Sequence, residues 1–196
     1  INNNKKKLYS KLISTLPVSD ILKSLDKVPS RIKKNSQSLK FNSLVTIMIG
    51  FKTKKKIPYT AIYVPEKKYI FHRLSFPKNF SNHTTPKNCM SICAEITTHY
   101  NSNLYKTPNQ KILKKVIQNL KQMKLLSKDE KIIFSEVFRT KYSYVIKDKN
   151  YTKNINSILD YLKKKDIISL GRNAEFKYIN MDQAITAAKL QVIKTN

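Results

Sequence analysis

Gly171-Arg172-Asn173-Ala174-Glu175-Phe176-Lys177-Tyr178-Ile179-Asn180-Met181-Asp182-Gln183-Ala184-Ile185 is the stretch on which the reading of this chain turns. It follows an apolar run, Ile167-Ile168-Ser169-Leu170, and takes one of only two glycines among 196 residues. Asn180 and Asp182 stand just ahead of an alanine-rich pattern at helical spacing. An extended run, a glycine turn and a helix start therefore follow one another in order. The free N–H groups of such a helix start attract an anionic group, and a glycine lets backbone approach it closely. Taken alone, the same order also describes an ordinary turn and a plain helix cap.

The rest of the composition points elsewhere. A hydrophobic fraction of 40%, with eleven Tyr and eight Phe, belongs to a folded chain long enough to bury a core. The net charge of +27 by itself suggests nucleic acid or an anionic membrane surface as partner. Yet only Arg31, Arg73, Arg139 and Arg172 are arginines, and the lysines are spread along the chain among many asparagines. Arginine is the better bidentate reader of phosphates and bases. A coding bias toward Lys and Asn thus explains the charge as well as a nucleic-acid surface does. A basic nucleic-acid-binding module stands as the alternative of another class, and nucleic acid is not the expected partner.

Cys89 and Cys93 form no CxxC pair and have no His or Cys cluster at metal-ligand spacing, so no metal site is expected. Beside Met90, Ile92, Ala94 and Ile96 they read as small apolar residues of a buried strand, and two thiols without a framework fit a reducing cytoplasm. No apolar run approaches the roughly 20 residues of a membrane-spanning helix, and no signal peptide is expected. A chain that opens on Ile1 reads as part of a longer one. His72, His83 and His99 lack a Ser, Cys or carboxylate at telling spacing and read as structural or solvated. The lysine runs 5–7, 54–56 and 163–165 read as solvated loops and turns.

Periodicity predicts strands over 8–16, 44–51, 59–64, 68–75, 90–97, 131–139, 143–147 and 167–170. Helices are predicted over 18–25, 29–40, 110–126, 154–164 and 182–192. The longest carries Ile112, Leu113, Val116, Ile117, Leu120 and Met123 on one face with lysines outside. Strands dominate the first half and alternate with helices in the second, which predicts a mixed α/β fold with a large antiparallel part.

The Gly171–Ile185 run resembles the flavin-contacting segment of UDP-galactopyranose mutases and of the wider FAD-dependent amine-oxidase-like flavoproteins. That pattern is Gly-Arg, an aromatic four residues on, a second aromatic, then a polar-Met-Asp/His-Gln run opening a helix. Here it is Gly171-Arg172, Phe176, Tyr178 and Asn180-Met181-Asp182-Gln183. Upstream, His72-Arg73-Leu74 resembles the segment whose Arg faces the substrate. Tyr144-Val145-Ile146-Lys147-Asp148 resembles the segment whose Tyr touches the substrate diphosphate, with Val145 in place of a Pro. Ser14-Thr15-Leu16-Pro17 resembles the strand end that returns beside the cofactor.

The resemblance implies FAD as cofactor, held by Gly171, Arg172, Asn180, Met181, Asp182, Ser14 and Thr15. It implies Arg73, Tyr144 and Tyr178 as ligands of a nucleotide-sugar or other small substrate. For Arg73 the bland alternative is a strand residue paired with Glu66 or Glu95. The implied organisation is a substrate-side body of mixed sheet and helices over 1–170 and a flavin-contacting turn and helix over 171–196. A sugar-nucleotide mutase of surface-polysaccharide synthesis is the leading expectation, and an amine oxidase or desaturase type of oxidoreductase the second. No GxGxxG can exist in a chain with only Gly50 and Gly171. That loop brings backbone amides to the FAD pyrophosphate. The chain is accordingly expected to lack the N-terminal dinucleotide-binding half as a partner and not to hold FAD tightly alone.

Overall fold

A computed structural model describes residues 8–195, so the 5–7 lysine run lies outside the described residues. In chain order the strands are β1 (Leu12–Ser14), β2 (Lys40–Lys52), β3 (Ala61–Tyr63), β4 (Arg73–Ser75), β5 (Cys89–Thr98), β6 (Ile132–Ile146) and β7 (Ile167–Ser169). The helices are α1 (Val18–Lys23), α2 (Ser30–Gln37), α3 (Asn103–Lys106), α4 (Asn109–Gln122), α5 (Tyr151–Lys163) and α6 (Met181–Thr195). Two compact units divide the chain. One takes the chain up to Phe41 and again from Tyr144, and the other is Asn42–Ser143.

In the first unit, β1 and β7 pair in parallel, with Leu12 opposite Ile167 and Ser14 opposite Ser169. Pro17 and Pro29 stand immediately before α1 and α2, where a missing N–H removes no helical hydrogen bond. Val18, Ile21 and Leu22 of α1 and Ile32 of α2 share a core with Ile155, Ile158 and Leu162 of α5. Those α5 positions recur at helical spacing and form its one buried stripe. Phe176 enters the same core, which is why the boundary expected after residue 170 falls inside this unit.

The second unit is built on an antiparallel sheet of order β3-β4-β5-β2-β6. Val45, Ile47 and Ile49 alternate along β2, opposite Ile96, Ala94 and Ile92 of β5. A strand's period of two puts all six on one face, where they pack with Ile112, Val116 and Leu120 of α4. Asn119, buried on α4, accepts a hydrogen bond from Ile70 N–H at 3.0 Å, so its side-chain oxygen is paired.

The mixed α/β class read from the sequence is observed, with differences in detail, among them the strand expected over 8–16, which shortens to β1. The strands expected over 131–139 and 143–147 are one strand, β6, because residues 140–142 contain no turn former and Ser43 Oγ donates to Lys141 O across the pair. The strand expected over 68–75 shortens to β4, since Tyr69 N–H closes a turn on Glu66 O. Helix α3 and two single 3₁₀ turns, Pro77–Asn79 and Asn82–Thr84, are too short for periodicity to reveal. Among the described residues no helix is long and apolar enough to cross a membrane.

Candidate cofactor and substrate site

At the end of β7 the chain donates Leu170 N–H to Ser14 O at 3.0 Å, prolonging the parallel pairing into the turn. Gly171 then has φ +93°, a backbone region that L side chains rarely adopt. A Cβ placed there would meet nothing within 4 Å, so the glycine is needed for its dihedral and leaves its backbone openly approachable. Glu175 holds the turn shut: its Oε2 accepts from Gly171 N–H at 2.8 Å, while its own N–H donates to Gly171 O at 2.9 Å. Lys177 Nζ lies 2.6 Å from Glu175 Oε1, and Lys177 N–H reaches Arg172 O. Phe176, buried at φ +48°, is fixed by the Tyr151 hydroxyl, which donates to its carbonyl at 2.6 Å.

This closed turn presents Arg172 beside two aromatic rings. The rings of Tyr144 and Tyr178 stack at 5.8 Å between centroids, with 25° between planes. The Arg172 guanidinium lies 4.4 Å from the Tyr178 centroid and 5.4 Å from that of Tyr144. Three residues singled out by sequence, separated by up to 34 positions, thus form one cationic and aromatic cluster. At the start of α6, Asn180 N–H donates to Gln183 Oε1 at 2.9 Å, one half of a capping box, and Asn180 O accepts the first helical bond from Ala184 N–H. The capping side chain is thus Gln183. Arg172, Ile179, Asn180, Met181, Asp182 and Ala184 line a hollow of ≈ 550 Å³ at this helix start.

Comparison with known proteins bears on this geometry. No protein-family model matches the chain, and no curated protein sequence matches it. Solved structures do. Reduced UDP-galactopyranose mutase superposes at TM-score 0.74 and 22% identity, over 87% of this chain and 37% of that one. A protein assigned as protoporphyrinogen oxidase from Exiguobacterium sp. 255-15 matches at 0.72 and 13%, over 94% and 40%. A CLA-producing fatty acid isomerase from P. acnes matches at 0.60 and 12%, over 94% and 41%. This chain has the fold of the matching part of these structures. It spans about two fifths of the length of these structures.

Within that fold, the residues at the turn suit a bound flavin. The hydroxyl oxygens of Ser14 and Ser169, register partners at the ends of β1 and β7, are buried and have no hydrogen-bond partner among the described residues. Orphaned buried polar atoms in a native fold point to a missing ligand or water. They stand where the two strands run into the open Gly171 backbone, and ligands of parallel sheets lie at the carboxyl ends of strands. Thr15, the next residue, is exposed.

Arg73 belongs to the other unit and has its own surroundings. Its Nη1 donates to Glu95 Oε1 at 3.0 Å, the pairing that the bland alternative named. Its Nε and the Glu95 Oε2 are both buried without partners. Glu95 is only 9% exposed, so this ion pair keeps one donor and one acceptor for a polar ligand. Next to it on the same face, burial pushes the Cys93 thiol up, opposed by its hydrogen bond with Ser75. The His72 ring lies 3.3 Å from the Thr97 hydroxyl.

Sequence reasoning missed Glu175 and Ser169 as parts of the turn, and Gln183, though within the motif, as the side chain that caps α6. The signals were present: a carboxylate four residues after a glycine, a serine closing a strand, and Gln at the third position of a helix.

Proposed function

We propose that the Gly171 turn and the start of α6 form the flavin-facing wall of an FAD-dependent site, acting on a nucleotide-sugar as in UDP-galactopyranose mutase. The observation that carries this reading is the juxtaposition of the open Gly171 backbone with the partnerless Ser14 and Ser169 hydroxyls and the Arg172–Tyr178–Tyr144 cluster. Gly171, Arg172, Asn180, Met181 and Asp182, with Ser14 and Thr15, are the proposed cofactor contacts. FAD would supply, when bound, a ring that in its reduced form is electron-rich enough to bond reversibly to a sugar and in its oxidised form is able to take up a hydride.

The rest is work for the chain's own groups. The first amides of α6, with the positive end of its dipole, favour negative charge on a ring edge placed there. Arg172, fixed against two rings, and the Tyr144 and Tyr178 hydroxyls suit a diphosphate leaving group, which needs planar N–H donors and neutral donors together. Arg73 is proposed as a further substrate contact through the Nε that Glu95 leaves unused.

The chain is read as acting together with a dinucleotide-binding half. Supporting this are the two-fifths coverage of its structural neighbours and the exposed apolar side chains of the first unit, among them Ile13, Leu16, Ile185 and Ile193. A reaction in the cytoplasm and a role in surface-polysaccharide synthesis are parts of the same proposal. The test is conversion of UDP-galactofuranose to the pyranose by dithionite-reduced protein carrying this chain and its dinucleotide-binding half. Arg172→Ala is expected to abolish it, and normal turnover by that variant overturns the assigned role. A second reading, net oxidation of an amine or carbon–carbon bond, is favoured by the nearly equal match to the protein assigned as protoporphyrinogen oxidase. It requires substrate-dependent flavin reduction without added reductant.

A further inference from the structure

A hollow of ≈ 870 Å³ in the second unit is formed by the loop after β2 and the chain between the first 3₁₀ turn and the start of β5. Its size falls in the range of small-molecule sites. Lys54, Lys55, Lys56, Lys78 and Lys87 line it and no carboxylate does. Among the described residues none of these lysines is in an ion pair. The nearby Glu130 is already engaged by the Thr53 hydroxyl and by Ser127 N–H at 2.7 Å. Such a concentration of like charge raises the energy of the empty protein and falls when an anion enters.

The walls are fixed by hydrogen bonds. Asn79 Nδ2 donates to both Ile57 O and Tyr59 O at 2.6 Å, tying the 3₁₀ turn to the loop. Thr53 N–H donates to Asn88 O at 3.0 Å, and Lys78 Nζ to Cys89 O at 2.6 Å. Lys55 Nζ donates to Lys124 O, while Lys54, Lys56 and Lys87 are exposed. The floor is apolar: Ile57 and Met90 are buried there, flanked by Pro58 and Pro86.

We infer that this hollow binds an organic polyphosphate of nucleotide size, its phosphates on Lys54, Lys56 and Lys87 and its flat apolar body on the Ile57–Met90 floor. Lysine holds phosphate as a point charge, so the scarcity of arginine does not count against it. The hollow lies at the Lys52 end of β2. Nothing in the proposed flavin chemistry uses it.

Calorimetric titration of the full chain with adenosine diphosphate, inorganic pyrophosphate and adenosine tests the inference. Saturable binding of adenosine diphosphate is expected, tighter than pyrophosphate, with adenosine weakest and salt weakening the first two. The triple variant Lys54→Gln, Lys56→Gln, Lys87→Gln should weaken adenosine diphosphate about tenfold, the sum of three screened surface interactions. A control triple on α4, Lys114→Gln, Lys115→Gln, Lys121→Gln, should leave it nearly unchanged. Equal losses in both triples would mean diffuse attraction to a basic protein and overturn the site. Absence of saturable binding, or binding of single-stranded oligonucleotide in place of adenosine diphosphate, overturns it too. Pyrophosphate binding as tightly as adenosine diphosphate removes the apolar floor from the proposal.

Discussion

The positive φ of Gly171 makes its replacement an energetic matter before a functional one. In Gly171→Ala the new methyl meets open space, so the cost is the dihedral alone, about 1–2 kcal/mol. For a chain of this length that lowers Tm by roughly 2–8 °C, measurable by thermal denaturation of the isolated chain. An unchanged Tm would mean that the turn relaxes elsewhere. Arg73 and Glu95 obey a different rule, because Glu95 is buried and its only ion-pair partner among the described residues is the part-exposed Arg73. Arg73→Leu strands a carboxylate in the sheet and should cost roughly 3 kcal/mol or more, whereas Arg73→Leu with Glu95→Leu should recover most of it. Denaturant unfolding of both variants checks this, and no recovery in the double variant contradicts the buried-pair account. Gly171 and Arg172 were legible in the sequence because glycine is so rare here and the motif is contiguous. Glu175 was not, since a carboxylate that reaches back to a backbone N–H carries no pattern until the turn is closed.

At the scale of elements, the start of α5 shows how one charge serves several neighbours. Asp148 Oδ1 accepts from Asn150 N–H at 3.0 Å, and its Oδ2 lies 3.1 Å from Lys40 Nζ. The hydrogen bond with Lys40, then that with Asn150 N–H, hold the Asp148 carboxyl below its ordinary value. A carboxyl depressed on folding adds stability above its unfolded pKa and loses it as pH falls through the folded pKa. Lys40→Ala should therefore raise the Asp148 pKa toward the ordinary value and shift the acid-side loss of stability to higher pH. Carbon-detected NMR titration of Asp148 reads it directly, and an unmoved midpoint would discount Lys40 as the cause. Because the pair is part-exposed, added salt should shrink the shift. Elements whose apolar residues repeat regularly, α4, α5 and β2, were readable in advance. Strands β1 and β7 are three residues each, too short to declare a partner, and their parallel pairing joins residues more than 150 positions apart.

For the molecule as a whole, the two cores differ in how the chain supplies them. The first is assembled from both ends of the sequence, which is why a linear reading drew a boundary at residue 170. Linear patterns reveal which residues are apolar, but loop closure over a hundred residues costs little more than over fifty, so distance along the chain does not forbid such a pairing. The second unit, Asn42–Ser143, is contiguous, and its core draws only on residues within those limits. At about 100 residues it reaches the size at which single domains are self-sufficient. Excised as 42–143, it should fold with a β-rich circular dichroism spectrum and one cooperative thermal transition. Leu74, fully buried at the centre of this core, provides the control. Leu74→Ala removes about 2–5 kcal/mol, most or all of the stability of a unit this small, and should abolish or sharply lower the transition. A noncooperative melt of the unsubstituted fragment would show that the sheet requires the continuation of β2 and β6 beyond its borders, at Lys40 and Ile146.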